Sequence, residues 1–221
     1  MKKSIFVVDK FYSNPNDVRD FALELEFKSS NKNDGFNGLL AVAPIATKTK
    51  LMKKIAKLIN CDLIYEQKHQ ADFKILKKAH FDKKTSIVHF DPAEWSAVLC
   101  LSRPDIIRGS TSFWRHKKLD IDGLHDHEKL ANICREKKCT VSDIIKIIDE
   151  DSANMSKWAE IGRIGHIYNR IILFRGYMFH SASEGFGRTL EGSKLSQTFF
   201  FSEAHGNQFN CEKGWKFASA K

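Results

Sequence analysis

The chain has 221 residues, 42% of them hydrophobic and 11% aromatic, which is enough for one sizeable core, and it carries a net charge of +9 with a pI near 9.3. No apolar run approaches the ~18 residues needed to cross a bilayer. Met1-Lys2-Lys3 leads only into Ile5-Phe6-Val7-Val8 before Asp9, so neither a membrane span nor a secretory leader is expected. The cysteines Cys61, Cys100, Cys134, Cys139 and Cys211 are odd in number and irregular in spacing. They argue against a disulfide framework and for a reducing, cytoplasmic setting.

Ile5 to Val8 reads as an entering strand, and Asn14-Pro15-Asn16-Asp17 as a helix start with proline in the first turn. Val18, Phe21, Ala22 and Leu25 follow at helical spacing, closing near Phe27, and Ser29 to Gly38 is loop-like. A second helix is expected over Thr47 to Asn60, with Leu51, Ile55, Leu58 and Ile59 on one face and Lys50, Lys53, Lys54 and Lys57 on the other. From Ala71 the pattern turns to short β-like runs: Asp72 to Ala79, Ser86 to Phe90, Trp95 to Ser102 and Thr111 to His116. Helices are expected at His127 to Lys137 and Val141 to Glu150, the second capped by Thr140 with Asp143 three residues on. Strands resume as Ile164 to Tyr168, Arg170 to Phe174, Tyr177 to His180 and Leu195 to Phe201.

Strands on both sides of a helical insertion point to a mainly β, α+β fold with a jelly-roll or related two-sheet core. One domain over 1–221 is expected. Within it, 1–70 holds the first strand and bracing helices, 71–116 and 164–202 the jelly-roll strands, and 117–163 the insertion. The paired helices of the insertion also resemble a helix-turn-helix, but the second offers Asp143, Asp149 and Glu150 where a DNA reader needs basic and polar side chains. An insertion or lid packed on the barrel mouth is the better reading. The basic residues are spread over several segments rather than gathered in one tail, as solvated faces of ordinary elements would be.

Ser86-Ile87-Val88-His89-Phe90-Asp91-Pro92 carries the first chemistry. On a strand, His89 and Asp91 leave one face while Val88 and Phe90 leave the other. An imidazole and a carboxylate suit a borderline ion such as Fe(II), and a second histidine would complete a facial triad with open positions. His180 stands where a later strand would return to the barrel after a turn at Gly176. Lys194-Leu195-Ser196 then sets a cation and a hydroxyl on one strand face, a carboxylate clamp.

His89-x-Asp91, a distal His180 and Lys194-x-Ser196 resemble the iron(II)/2-oxoglutarate-dependent dioxygenases, which are built on a double-stranded β-helix (a cupin-like jelly roll). Further likeness to a small bacterial and phage branch runs through Ile5 to Phe27, Trp95 to Leu101, Gly109-Ser110-Thr111-x-Phe113, Asn169-Arg170-x-x-x-Phe174 and Gln197 to Phe201. The resemblance implies Fe(II) held by His89, Asp91 and His180, with 2-oxoglutarate and O2 in the open positions. Lys194 and Ser196 would hold the distal carboxylate. Most of the family has arginine at the clamp; Lys194 keeps the charge without the bidentate fork, and Arg188 in the glycine-rich loop is its rival. The implied outcome is hydroxylation with release of succinate and CO2, since Asp91 fills the position that halogenating members leave to a small residue.

Trp95, Trp114 and Arg115 are candidates to line a substrate pocket, against plain core packing for the tryptophans. His116, His125 and His127 are candidates for a second metal site, against solvated histidines. The substrate is read as a small molecule, amino acid or peptide, with no membrane partner and no oligomeric state legible. Two alternatives stand beside it: an oxygenase of the same chemistry acting on nucleic acid, and a non-catalytic jelly-roll binding module.

Overall fold

The computed structural model of the protein describes residues 4–30, 38–65, 70–78 and 87–204. Among these residues eleven strands and four helices follow in chain order: β1 (Ile5–Val8), α1 (Pro15–Glu24), β2 (Lys28–Ser29), β3 (Leu39–Ala41), α2 (Ile45–Ile59), β4 (Leu63–Ile64), β5 (Asp72–Leu76), β6 (Trp95–Cys100), β7 (Ser110–His116), α3 (His127–Lys137), α4 (Val141–Asp151), β8 (Trp158–Gly165), β9 (Ile171–Arg175), β10 (His180–Ala182) and β11 (Lys194–Glu203). The larger sheet runs β1-β9-β6-β11-β5-β3-β2, with β4 also paired to β11. The smaller runs β10-β7-β8. Every strand pair is antiparallel.

Strand alternation decides what each face of the larger sheet does. On β6, β9 and β11 the residues Trp95, Ala97, Leu99, Ile171, Leu173, Leu195, Phe199 and Phe201 point to one side. There they form the main core with Ala22 of α1 and Leu51, Met52 and Ile55 of α2. Their neighbours Val98, Ile172 and Phe174 point to the other side and meet Phe113 of β7 and Ile164 of β8 across the space between the sheets. A third cluster packs Leu130, Ile133, Ile144 and Ile148 of α3 and α4 against Trp158, Val88 and Phe179. The two-helix insertion therefore backs the smaller sheet, packing on Trp114 and Trp158.

Several boundaries differ from the sequence expectation. α1 stops at Glu24 because Leu25 turns extended, and α2 begins earlier, behind Pro44. Only His89 of the run Ser86 to Phe90 makes a β-bridge, to His180; Ser86 lies outside the described residues. The strand expected at Ile164 to Tyr168 is Trp158–Gly165, which begins inside the stretch read as insertion. Tyr177 to Phe179 is not strand. The turn is tighter than expected, with Met178 N donating to Arg175 O at 3.0 Å, and β10 starts at His180. The short strands β2, β3 and β4 carry no pattern long enough to read. Among the described residues no helix is long and apolar enough to cross a membrane.

Candidate metal centre

His89 and His180 are brought face to face by the backbone. His89 N donates to His180 O at 2.9 Å and His180 N to His89 O at 2.8 Å, a narrow antiparallel pair that leaves both imidazoles on one side. Their ring centroids are 4.3 Å apart. Asp91 is set by its own backbone, whose N donates to Gly176 O at 2.8 Å. Gly176 must be glycine for that approach, since a Cβ there would lie 2.2 Å from Ala93 O. Asp91 Oδ1 then stands 3.8 Å from His89 Nε2, and Oδ2 stands 3.3 Å from His180 Nε2. One ligand atom from each of the three residues lies within 4.8 Å of the others, and they form the only such group among the described residues.

The outer hydrogen bonds prepare these atoms. His89 Nδ1 faces Ile87 O at 3.2 Å and His180 Nδ1 faces Met178 O at 2.9 Å. A carbonyl only accepts, so each Nδ1 carries the proton and each Nε2 keeps its lone pair for the centre. Ser96 Oγ donates to Asp91 Oδ2 at 2.6 Å. Burial pushes the His89 imidazole down to about 4, helped by the His180 ring, so it stays neutral at neutral pH. Burial works to raise the Asp91 carboxyl, but His180, His89 and the Ser96 hydroxyl outweigh it and hold the group below the usual carboxylate range. Two imidazole nitrogens and one carboxylate, with Asp91 15% exposed and His89 40% exposed, fit a divalent ion reachable from solvent.

Lys194 occupies the inner face of β11, beside the same inter-sheet space. The residue is 6% exposed, and its Nζ donates to Ser183 O at 2.8 Å and Ser183 Oγ at 3.2 Å. Gly109 makes room for that seryl group, since a Cβ would lie 2.0 Å from Ser183 Oγ and the backbone φ is +94°. Burial lowers the Lys194 ammonium to about 8. Buried His166, bonded to Thr111 Oγ1 at 3.1 Å, is pushed down to about 3 by burial and then by Lys194 and Arg170. Ser196 shares the Lys194 face two residues on, opposite Cys100 and Lys74. Arg188 is exposed on the loop before β11.

The remaining candidates fall elsewhere. Trp95 belongs to the main core on the far side of the sheet, between Phe6 and Phe201, with the Arg175 guanidinium 3.9 Å over its ring. Trp114 lies on the outer face of β7, packed with the α3–α4 cluster, and its Nε1 donates to Ser181 Oγ at 2.9 Å. Arg115 is exposed and faces Asp120 and Asp122 at 3.7 and 3.9 Å. His116 is fully buried rather than solvated, bonded through Nε2 to Asp151 at 3.0 Å and stacked edge-on against Trp158. His125 stacks on Tyr177 and His127 opens α3, so the three do not converge. Sequence reasoning missed Ser96, although alternation offered it: on β6 it must face opposite to Trp95. Lys74 was missed as well; its Nζ is 5.5 Å from the Phe200 ring and its charge acts on His89.

Fold and centre together define an antiparallel two-sheet α+β protein with a His–Asp–His cluster beside its inter-sheet space. Residues 1–188 match a single family model, and the chain belongs to that family, DUF6445, described as a family of unknown function. The match includes His89, Asp91 and His180 and ends before Lys194. No curated protein matches the chain in sequence. Among solved structures it is similar to SnoK, a non-heme alpha ketoglutarate dependent carbocyclase from nogalamycin biosynthesis, at 10% identity and TM-score 0.51, covering 92% of this chain and 81% of that one. It is also similar to SnoN, the epimerase of the same biosynthesis, at 11% identity and TM-score 0.48, covering 92% and 79%. The third is HygX from Streptomyces hygroscopicus with nickel and 2-oxoglutarate bound, at 8% identity and TM-score 0.48, covering 92% and 84%. At these identities the SnoK likeness is one of fold.

Proposed function

We propose that the protein is an iron(II)- and 2-oxoglutarate-dependent oxygenase with a jelly-roll core that hydroxylates a C–H bond of a small molecule, amino acid or peptide. The observation that carries this is the convergence of His89, Asp91 and His180 with both Nε2 atoms left free by their Nδ1 bonds. The fold shared with SnoK, whose chemistry depends on alpha ketoglutarate, supports it. His89 Nε2, His180 Nε2 and the Asp91 carboxylate would hold Fe(II). With 2-oxoglutarate and O2 bound, that ion supplies the oxidation of substrate, yielding succinate and CO2.

The chain's own residues do the rest. The Ile87 and Met178 carbonyls fix the tautomers, and Ser96 fixes the carboxylate that keeps a halide out. Lys194 and Ser196 receive the distal carboxylate of 2-oxoglutarate, whose charge compensates an ammonium that, among the described residues, donates to Ser183. Exposed Arg188 is a weaker clamp because a solvated cation binds a carboxylate less strongly than a buried one. The exposed Lys50, Lys53 and Lys57 of α2 lie on the helix that packs against the opposite face of the larger sheet, which favours a small substrate over nucleic acid.

Anaerobic addition of Fe(II) and 2-oxoglutarate is expected to give a visible charge-transfer band in the wild type and none in His89→Ala. Absence of the band in the wild type overturns the assignment. Succinate release across a panel of amino acids, peptides and oligonucleotides then separates the readings. Substrate-dependent turnover excludes a non-catalytic module, and ligand binding without turnover supports one.

A further inference from the structure

Cys134 and Cys139 are five residues apart, which on a continuous helix would set their side chains about 140° apart around the axis. The structure reverses that separation. Lys138 takes the left-handed conformation, φ 50° and ψ 46°, at the end of α3, and Cys139 N donates back to Cys134 O at 3.0 Å. This six-to-one bond closes a Schellman motif, whose geometry places the side chains at these two positions in contact. Both side chains pack half-buried on the edge of the α3–α4 cluster, and the Cys139 thiol bears on the acidity of the Cys134 thiol. Elsewhere such a contact joins two apolar side chains; here it joins two oxidisable sulfurs reachable from solvent.

We propose that Cys134 and Cys139 are a modification site, at which hydrogen peroxide or an organic hydroperoxide closes an intramolecular disulfide across the α3–α4 corner. Cys139 thiolate attacks the peroxide, breaking its O–O bond to give a sulfenic acid and water or alcohol. Cys134 thiolate then displaces the sulfenic oxygen, which takes up a proton and leaves as water, forming the S–S bond. Two thiols lose two electrons and two protons, and the peroxide gains them. The order follows from surroundings: burial, then Cys139 and Asp143, push the Cys134 thiol up, so it suits the resolving role. Because the bond spans the end of the helix and not its interior, no helical hydrogen bond has to open. The corner shares its cluster with Val88 and Phe179, the chain neighbours of His89 and His180, so the cross-link stiffens the layer that backs the metal centre.

The test uses the full chain carrying Cys61→Ser and Cys211→Ser, treated with hydrogen peroxide without added metal, alkylated before unfolding and digested with trypsin. Residues 130–135 and 139–146 are expected to appear joined, two hydrogens lighter than their sum, in monomeric protein, and to separate on reduction. Cys134→Ser is expected to stop at a sulfenic acid on Cys139, trapped by dimedone, with the helical circular dichroism unchanged. Full alkylation of both thiols after peroxide, sulfinic acid on Cys139 without the joined pair, or a linkage confined to dimers overturns the proposal.

Discussion

The two polar sites beside the inter-sheet space are built on opposite principles. At the His89–Asp91–His180 site every group is held by a partner outside the centre: a carbonyl behind each imidazole, a hydroxyl behind the carboxylate, and a paired backbone beneath. At the Lys194 site a buried ammonium is held by one serine, with neutral Thr111 and His166 nearby and its own acidity raised by burial. The first site is satisfied and shaped before anything binds. The second is under-compensated, because a buried charge is costly without an opposite charge. Geometry selects the ligand at one site and charge selects it at the other.

Removing one of the three metal ligands should have the largest effect. Losing an outer partner of a metal ligand already costs about 10–100-fold in metal affinity, so His180→Ala is expected to cost more than about 100-fold. Calorimetric titration with nickel or iron(II) measures it, and affinity within tenfold of wild type would remove His180 from the centre. Next is Lys194→Met, which takes away the buried charge. Truncating one side of a buried charge pair costs about 2–5 kcal/mol, so 2-oxoglutarate binding should weaken by at least about 30-fold. Metal affinity should hold, and the apoprotein should melt no lower than wild type, because the variant no longer buries an uncompensated cation. A lower melting temperature with unchanged 2-oxoglutarate affinity would make Lys194 a structural residue. Ser96→Ala sits below these, with metal affinity expected to fall by about tenfold while the melting temperature stays put.

The two sites also differ in how legible they were. The period of two in Val88-His89-Phe90-Asp91 placed the ligands on one side and the apolar pair on the other, and Val88 and Phe90 do pack into the α3–α4 cluster. The helices at His127 and Val141 were readable from periodicity and from the Thr140 capping box, which forms as expected. The strand read over Ser86 to Phe90 is only a bridge at His89, because that pairing depends on a partner 91 residues away and not on local propensity. Trp95 failed for a related reason: an apolar run buried on both faces does not say which face meets which layer, and only Ser96 bonding Asp91 decides it. Lys194 could be proposed from its spacing, but its surroundings (Ser183, His166 and Thr111) are assembled from β7, the turn after β8 and the loop after β10. No window of sequence contains them together.

The smallest expected effect separates geometry from charge most directly. Burial holds the Lys194 ammonium near 8, against its ordinary 10.5. The unfolded chain therefore binds more protons than the folded chain between those values, so this group makes the apoprotein more stable as pH rises from 8 towards 10.5. Anion binding runs the other way, since it needs the protonated ammonium, and 2-oxoglutarate affinity should fall by up to about tenfold between pH 8 and 9. The two slopes are opposite in sign and come from one group, so Lys194→Met should flatten both. Titrating 2-oxoglutarate into nickel-loaded protein, with parallel melts of the apoprotein, measures them over the same pH range. If both slopes survive the substitution, the charge that selects the anion is not on Lys194, and Lys74, paired with Ser196 on the same face of the sheet, becomes the residue to replace.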